Sequence, residues 1–108
     1  MKGKIVVITF PFTDLTSTKL RPALVLNETE KDVIVVFISS RTGKATPNDI
    51  LINKKHSEFE KTGLKVESFI KTDKIATLSK RLIAGEMGEV GPKLKKEIND
   101  KIGKTLKL

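Results

Sequence analysis

Arg21-Pro22-Ala23-Leu24-Val25-Leu26 and, after a polar gap from Asn27 to Asp32, Val33-Ile34-Val35-Val36-Phe37-Ile38-Ser39-Ser40-Arg41 are the segments that decide the fold. Both are apolar runs rich in β-branched residues, and the gap between them suits little but the turn of an antiparallel hairpin. Proline is tolerated where it stands, at the opening of a strand, because its missing N–H is not yet needed there. In such a hairpin the start of one strand lies beside the end of its partner, so Arg21 and Ser39 are expected at the same end of the sheet. A guanidinium offers a rigid fork of donors and a hydroxyl adds one more, a combination suited to gripping a phosphate.

Working outward, Ile5 to Phe10 reads as a strand apolar nearly throughout, hence covered on both faces. Pro11 to Leu20, with Asp14 and Thr16-Ser17-Thr18, reads as a loop, and so does Ser39 to Asn48. A short strand is expected at Ile50–Ile52, a helical turn over Asn53–Lys61, and further strands at Val66–Lys71, Ile75–Leu78 and Ala84–Val90. After Gly91-Pro92, Leu94, Ile98, Ile102 and Leu106 recur every four residues among lysines, the stripe of an amphipathic helix that proline is well placed to begin. The expectation is a mostly β protein: a small, strongly curved, partly open barrel with short helices and a C-terminal α-helix, one domain spanning 1–108.

The bulk composition narrows the function. The 108 residues are 38% hydrophobic, which marks a folding sequence rather than a basic tail. There is no cysteine and one histidine, His56, so thiolate and histidine-rich metal sites are excluded, and no cofactor is expected. His56 sits among charged residues and reads as a surface residue. The net charge of +8 points to polyanionic partners. Of the cations, 18 are Lys and only three are Arg, and two of those three, Arg21 and Arg41, fall in the quoted segments. The apolar run near the N-terminus, Ile5 to Ile8, is too short for a signal core or a membrane span, so a cytoplasmic location is expected.

Taken in order, Gly3-Lys4-Ile5-Val6, Pro11-Phe12-Thr13-Asp14-Leu15, Arg21 to Leu26, Ile38-Ser39-Ser40-Arg41, Gly63-Leu64 to Ser68 and Asp73-Lys74-Ile75 resemble the PemK/MazF family of toxin–antitoxin ribonucleases. The resemblance implies an SH3-like barrel and a homodimer. It further implies metal-independent cleavage of single-stranded RNA, including mRNA, by attack of the 2′-OH, and a cognate antitoxin that is acidic and blocks the RNA groove. Residue by residue, Arg21 matches the family's catalytic arginine before proline, and Ser39 its catalytic Thr or Ser at the end of the following strand. Two departures stand out. Gly3-Lys4 replaces an opening Gly-Asp, and Thr16 to Leu20 lacks the acidic residue many members carry before the arginine. Asp14 is then the nearest carboxylate and the candidate base. Phe12, Lys19, Ser40, Arg41 and Lys44 are the candidate RNA contacts, Phe12 as a stacking platform in a chain with five Phe and no Trp or Tyr. Two other readings are a CcdB-like toxin that poisons gyrase by protein contact, and a non-catalytic SH3-like module that binds nucleic acid.

Overall fold

The computed structural model describes residues 1–11, 18–40 and 45–108. Its elements are β1 (Lys4–Pro11), β2 (Thr18–Glu28), β3 (Asp32–Ser39), β4 (Asp49–Ile52), α1 (Phe59–Thr62), β5 (Ser68–Ser79), a 3₁₀ turn (Lys80–Leu82), β6 (Ile83–Glu89) and α2 (Pro92–Thr105). The strands form one antiparallel sheet in the order β4-β5-β3-β2-β1-β6. The mostly β class with a C-terminal helix is as the sequence implies.

Alternation along the central strands splits the core into two layers. Ile5, Leu24, Val36 and Ile38 face one way and pack with Ile50, Phe59, Val90, Leu94 and Ile98, so β4, α1 and α2 close that side. Val6, Ile8, Ala23, Val25, Val33 and Val35 face the other way, against Leu78, Leu82 and Ile83 from the end of β5 and the turn beyond it. The near-continuous apolar run of β1 is thereby explained.

Three boundaries differ from the sequence reading. β2 begins at Thr18, not Ala23, because Thr18 to Pro22 pair with Pro11 to Val7 of β1. Lys19, Leu20 and Arg21 are thus strand residues, paired with β1 on one side and lying beyond the end of the β2–β3 ladder on the other. The β2–β3 ladder runs from Ala23↔Phe37, one residue beyond Pro22, so the proline's absent N–H breaks no pairing on the β3 side. The two strands expected at 66–71 and 75–78 are one strand, β5, which skips Thr72 to Lys74 between the pairs Phe37↔Lys71 and Val36↔Ile75. Thr72 at this bulge is fully buried. Its N–H donates to the Asn48 carbonyl at 3.3 Å and its hydroxyl bonds the same oxygen, so the break in the ladder leaves no orphaned donor. The helical turn lies at Phe59–Thr62, at the end of the stretch expected to be helical.

Two long-range contacts lock the helices to the sheet. Gly63 ends α1 with φ +75, and a Cβ there would sit 2.1 Å from the Met87 carbonyl oxygen; reciprocally, a Cβ on Gly88 would meet the Lys61 carbonyl at 2.4 Å. Backbone thus lies on backbone between α1 and β6. α2 has glycine at its N-cap and no side-chain cap of its own. Glu58, from the other side of the sequence, supplies one: its carboxylate accepts from the Leu94 N–H at 2.8 Å and the Lys93 N–H at 3.0 Å. A side chain at Gly91 would collide with that carboxylate at 2.4 Å.

Gly63→Ala is expected to lower stability by at least ~1 kcal/mol from the left-handed backbone alone, with displacement of Met87 adding to it; chemical denaturation measures this. Burial pushes the Glu58 carboxyl up, but the two helix N–H donors and the nearby cations outweigh it and hold the group below its usual range. Its stabilisation is therefore present above the unfolded pKa of ~4.3 and is lost as pH falls through the lower folded value. Glu58→Gln should melt below the parent at pH 7, and the gap between them should close in acid.

Candidate functional site

The end of the β2–β3 hairpin opens on a cavity of about 270 Å³. Leu20 and Arg21 reach it from β2, Ser39 and Ser40 from the end of β3, Lys65 and Val66 from the segment leading into β5, and Met87 from β6. Continuing the register from Ala23↔Phe37 by two residues sets Arg21 level with Ser39 across the two strands. The hairpin thus delivers the guanidinium and the hydroxyl to one place on rigid backbone. Ser39 is also tied to β5 through its pairing with Phe69.

Arg21 is half-buried. None of the ion pairs among the described residues involves it; the carboxylates that are paired are taken by lysines, the N-terminus or His56. A partly buried guanidinium with five donors and no carboxylate partner among the described residues has the chemistry to take an anion. The hydroxyl of Ser68, buried in the same wall, donates to the Val66 carbonyl at 2.9 Å.

Of the other residues singled out in the sequence, Lys19 is exposed on β2, two positions before Arg21 and so on the same strand face. Phe12, Asp14, Arg41 and Lys44 lie outside the described residues. Among the described residues no carboxylate or histidine lines the cavity. His56 lies elsewhere: its Nδ1 accepts from the Glu58 N–H at 3.0 Å, which helps hold the α2 cap.

Sequence reasoning missed Lys65, Val66 and Met87. Lys65 is one lysine among 18, and nothing in its local pattern separates it from the rest. The one available signal was Gly63, whose turn fixes where the next residues go.

One other concavity, of about 400 Å³ at the turn after β5, also sets an arginine near a hydroxyl. Lys31, Asp32, Ser79, Lys80 and Arg81 line it, and there the Ser79 hydroxyl already accepts from the Arg81 backbone N–H at 3.2 Å and a carboxylate, Asp32, borders the same space. Two further concavities differ in kind. One of about 290 Å³ lies between Gly3, Leu26 and Lys95. Another of about 380 Å³ lies between Leu51 and Lys104, beside the buried Asp49. Burial would raise the Asp49 carboxyl, but the Lys71 ammonium at 2.7 Å and the Thr46 N–H at 2.8 Å keep it lowered. That carboxylate fastens the approach to β4 onto β5, a structural task. Neither concavity holds an arginine beside a hydroxyl.

The chain is a basic, mostly β protein whose one antiparallel sheet brings Arg21, in no ion pair among the described residues, to the same cavity as the strand-end Ser39. The family described as PemK-like, MazF-like toxin of type II toxin-antitoxin system matches residues 1–106, and the chain belongs to it. No curated protein sequence matches the chain. Solved structures share the fold at low identity. The Mycobacterium tuberculosis toxin MazF-mt6 superposes with a TM-score of 0.75 at 17% identity, covering 97% of either chain. An endoribonuclease from a mycobacterial species, solved with its cognate antitoxin, gives 0.74 at 19%, covering 100% of this chain and 95% of that one. MazF in a MazE–MazF structure from Deinococcus radiodurans gives 0.74 at 21%, covering 97% and 94%. No helix among the described residues is long and apolar enough to cross a membrane.

Proposed function

We propose that the chain is the endoribonuclease toxin of a type II toxin–antitoxin pair and that it cuts single-stranded RNA at the Arg21–Ser39 cleft. The observation that carries this is the half-buried Arg21 guanidinium, unpaired among the described residues and level with Ser39. Family membership and the endoribonuclease relatives of the same fold support it.

The 2′-OH of the ribose attacks the adjacent phosphorus as its proton is removed. The bond to the 5′-oxygen breaks as that oxygen gains a proton. The products are a 2′,3′-cyclic phosphate and a 5′-OH. Negative charge accumulates on the non-bridging oxygens of the five-coordinate phosphorus, and Arg21 meets it with a fixed, permanently charged fork. Ser39 donates one further hydrogen bond to the same phosphate. Arginine is a poor proton acceptor at its usual pKa. Asp14, the nearest carboxylate in sequence, is the group we assign to take the 2′-proton. Lys19, Ser40, Arg41 and Lys44 contact neighbouring phosphates and bases, and Phe12 stacks on a base. The functional unit is a homodimer, for which the end strands β4 and β6, each pairing with one neighbour only, leave sheet edges available. An acidic antitoxin covers the same positive surface.

Arg21→Ala should reduce cleavage of a defined single-stranded RNA in EDTA by on the order of 10²- to 10³-fold. Ser39→Ala should cost no more, since a neutral donor is weaker than a charged one. The double variant should lose less than the product of the single effects. Arg21→Lys should also be impaired, because a point charge does not replace the fork. A folded Arg21→Ala protein that cuts at the parent's rate would show the site to be wrong. Binding without any cutting by the parent would favour the non-catalytic module, which the lack of a lining carboxylate or histidine among the described residues also favours.

RNA affinity should fall steeply with salt, with a log–log slope of roughly −0.7 for each phosphate neutralised. A flat salt profile would remove the electrostatic basis of the proposal. Light scattering should give twice the chain mass, and a monomer at high concentration would argue against the dimer.

A further inference from the structure

The cleft has apolar borders that the proposed scissile-phosphate site does not use. Leu20 is 62% exposed and Val66 52% exposed, both bordering the cavity that holds Arg21 and Ser39. Apolar side chains open at a polar cleft offer contact area to whatever binds there. Between Val66 and the buried Leu64 stands Lys65, exposed, and no ion pair or hydrogen bond among the described residues engages its ammonium. The segment is held in place rather than loose. Gly63 turns it with a left-handed backbone pressed on Met87, Leu64 anchors it in the core, and the Ser68 hydroxyl closes back onto the Val66 carbonyl.

Resting on the endoribonuclease reading above, we propose that Lys65, Leu20 and Val66 form the subsite for the nucleotide next to the scissile bond. Lys65 pairs with that nucleotide's own phosphate, and Leu20 and Val66 pack on its base. A nucleobase fits this surface because its faces are apolar while its edges and phosphate are polar. The usual aromatic stacking platform is not offered here by the described residues: Phe37, Phe59 and Phe69 do not line the cavity. Two aliphatic side chains supply contact area without hydrogen bonds, so they discriminate by base size and shape. Leu20 directly precedes Arg21, so the two side chains leave β2 on opposite faces, and the cavity at the strand's end is bordered by both.

The test uses DNA oligonucleotides carrying a single ribonucleotide, so that only one bond is cleavable, with the base on either side of it varied. Lys65→Ala should raise KM several-fold with the loss falling mainly there, and should lower the magnitude of the log–log salt slope by about 0.7. Lys65→Arg should restore both. Leu20→Ser and Val66→Ser should each flatten the dependence of kcat/KM on the neighbouring base. Circular dichroism and light scattering of every variant identify unfolding or a changed oligomeric state. If the parent cuts, Arg21→Ala does not, and the Lys65, Leu20 and Val66 variants all match the parent, the subsite is wrong while the ribonuclease reading stands. If Leu20→Ser or Val66→Ser splits a dimer without altering base preference, the pair is an interface between copies and the subsite is likewise wrong. If the parent neither binds nor cuts these strands, both readings fail.

Discussion

Ala23 pairs with Phe37, Leu24 with Val36 and Val25 with Val35, and on this register everything else depends. Side chains alternate across a strand, so a slip of one residue would send Ala23 and Val25 into the layer made for Leu24 and Leu24 into theirs, mispacking both. Here both faces of β2 and β3 are buried, one under α2 and the other under Leu78, Leu82 and Ile83, so the slip is penalised twice. The same register sets Arg21 against Ser39. The chemistry at the hairpin's end is therefore positioned by the most strongly determined part of the core, and little separate energy is needed to hold it.

The far wall of the cleft is positioned differently. It belongs to a short segment between α1 and β5, and its placement rests on the contact of Gly63 with the Met87 backbone and of Gly88 with Lys61 and Thr62. That contact tolerates no side chain on either partner. α2 in turn is capped from a distance by the Glu58 carboxylate, and the Glu58 backbone N–H is held by His56 Nδ1. The helices are thus held by apolar area, through Phe59, Leu94 and Ile98, and oriented by single polar or close backbone contacts.

The sequence made the hairpin legible because apolar runs of period two or continuous apolarity report burial directly. It made the Arg21–Ser39 proximity legible because hairpin geometry leaves little freedom at the open end. The terminal helix was legible from Leu94 and Ile98, both of which are buried. The continuity of β5 was hidden by Thr72-Asp73-Lys74, polar residues that look like a turn, yet Thr72 is buried and bonded to Asn48. The early start of β2 was hidden by Thr18-Lys19, which have a neighbour on only one side. Lys65 and Val66 were hidden because their proximity to Arg21 arises from a glycine turn and a cross-sheet contact, neither of which leaves a periodic trace.

The central claim is that Arg21, unpaired within the described fold, is where the phosphate of single-stranded RNA sits. It is tested most directly by following the Arg21 side-chain Nε–H resonance while a single-stranded RNA with a 2′-deoxy sugar at the cleavage position is added at fixed salt. The expected result is a saturable shift of Arg21 Nε–H together with the Ser39 and Lys65 amides, at one common midpoint. Shifts spread over the lysines of α2 with Arg21 and Ser39 unmoved would contradict it, and would make the positive charge a general surface property rather than a site.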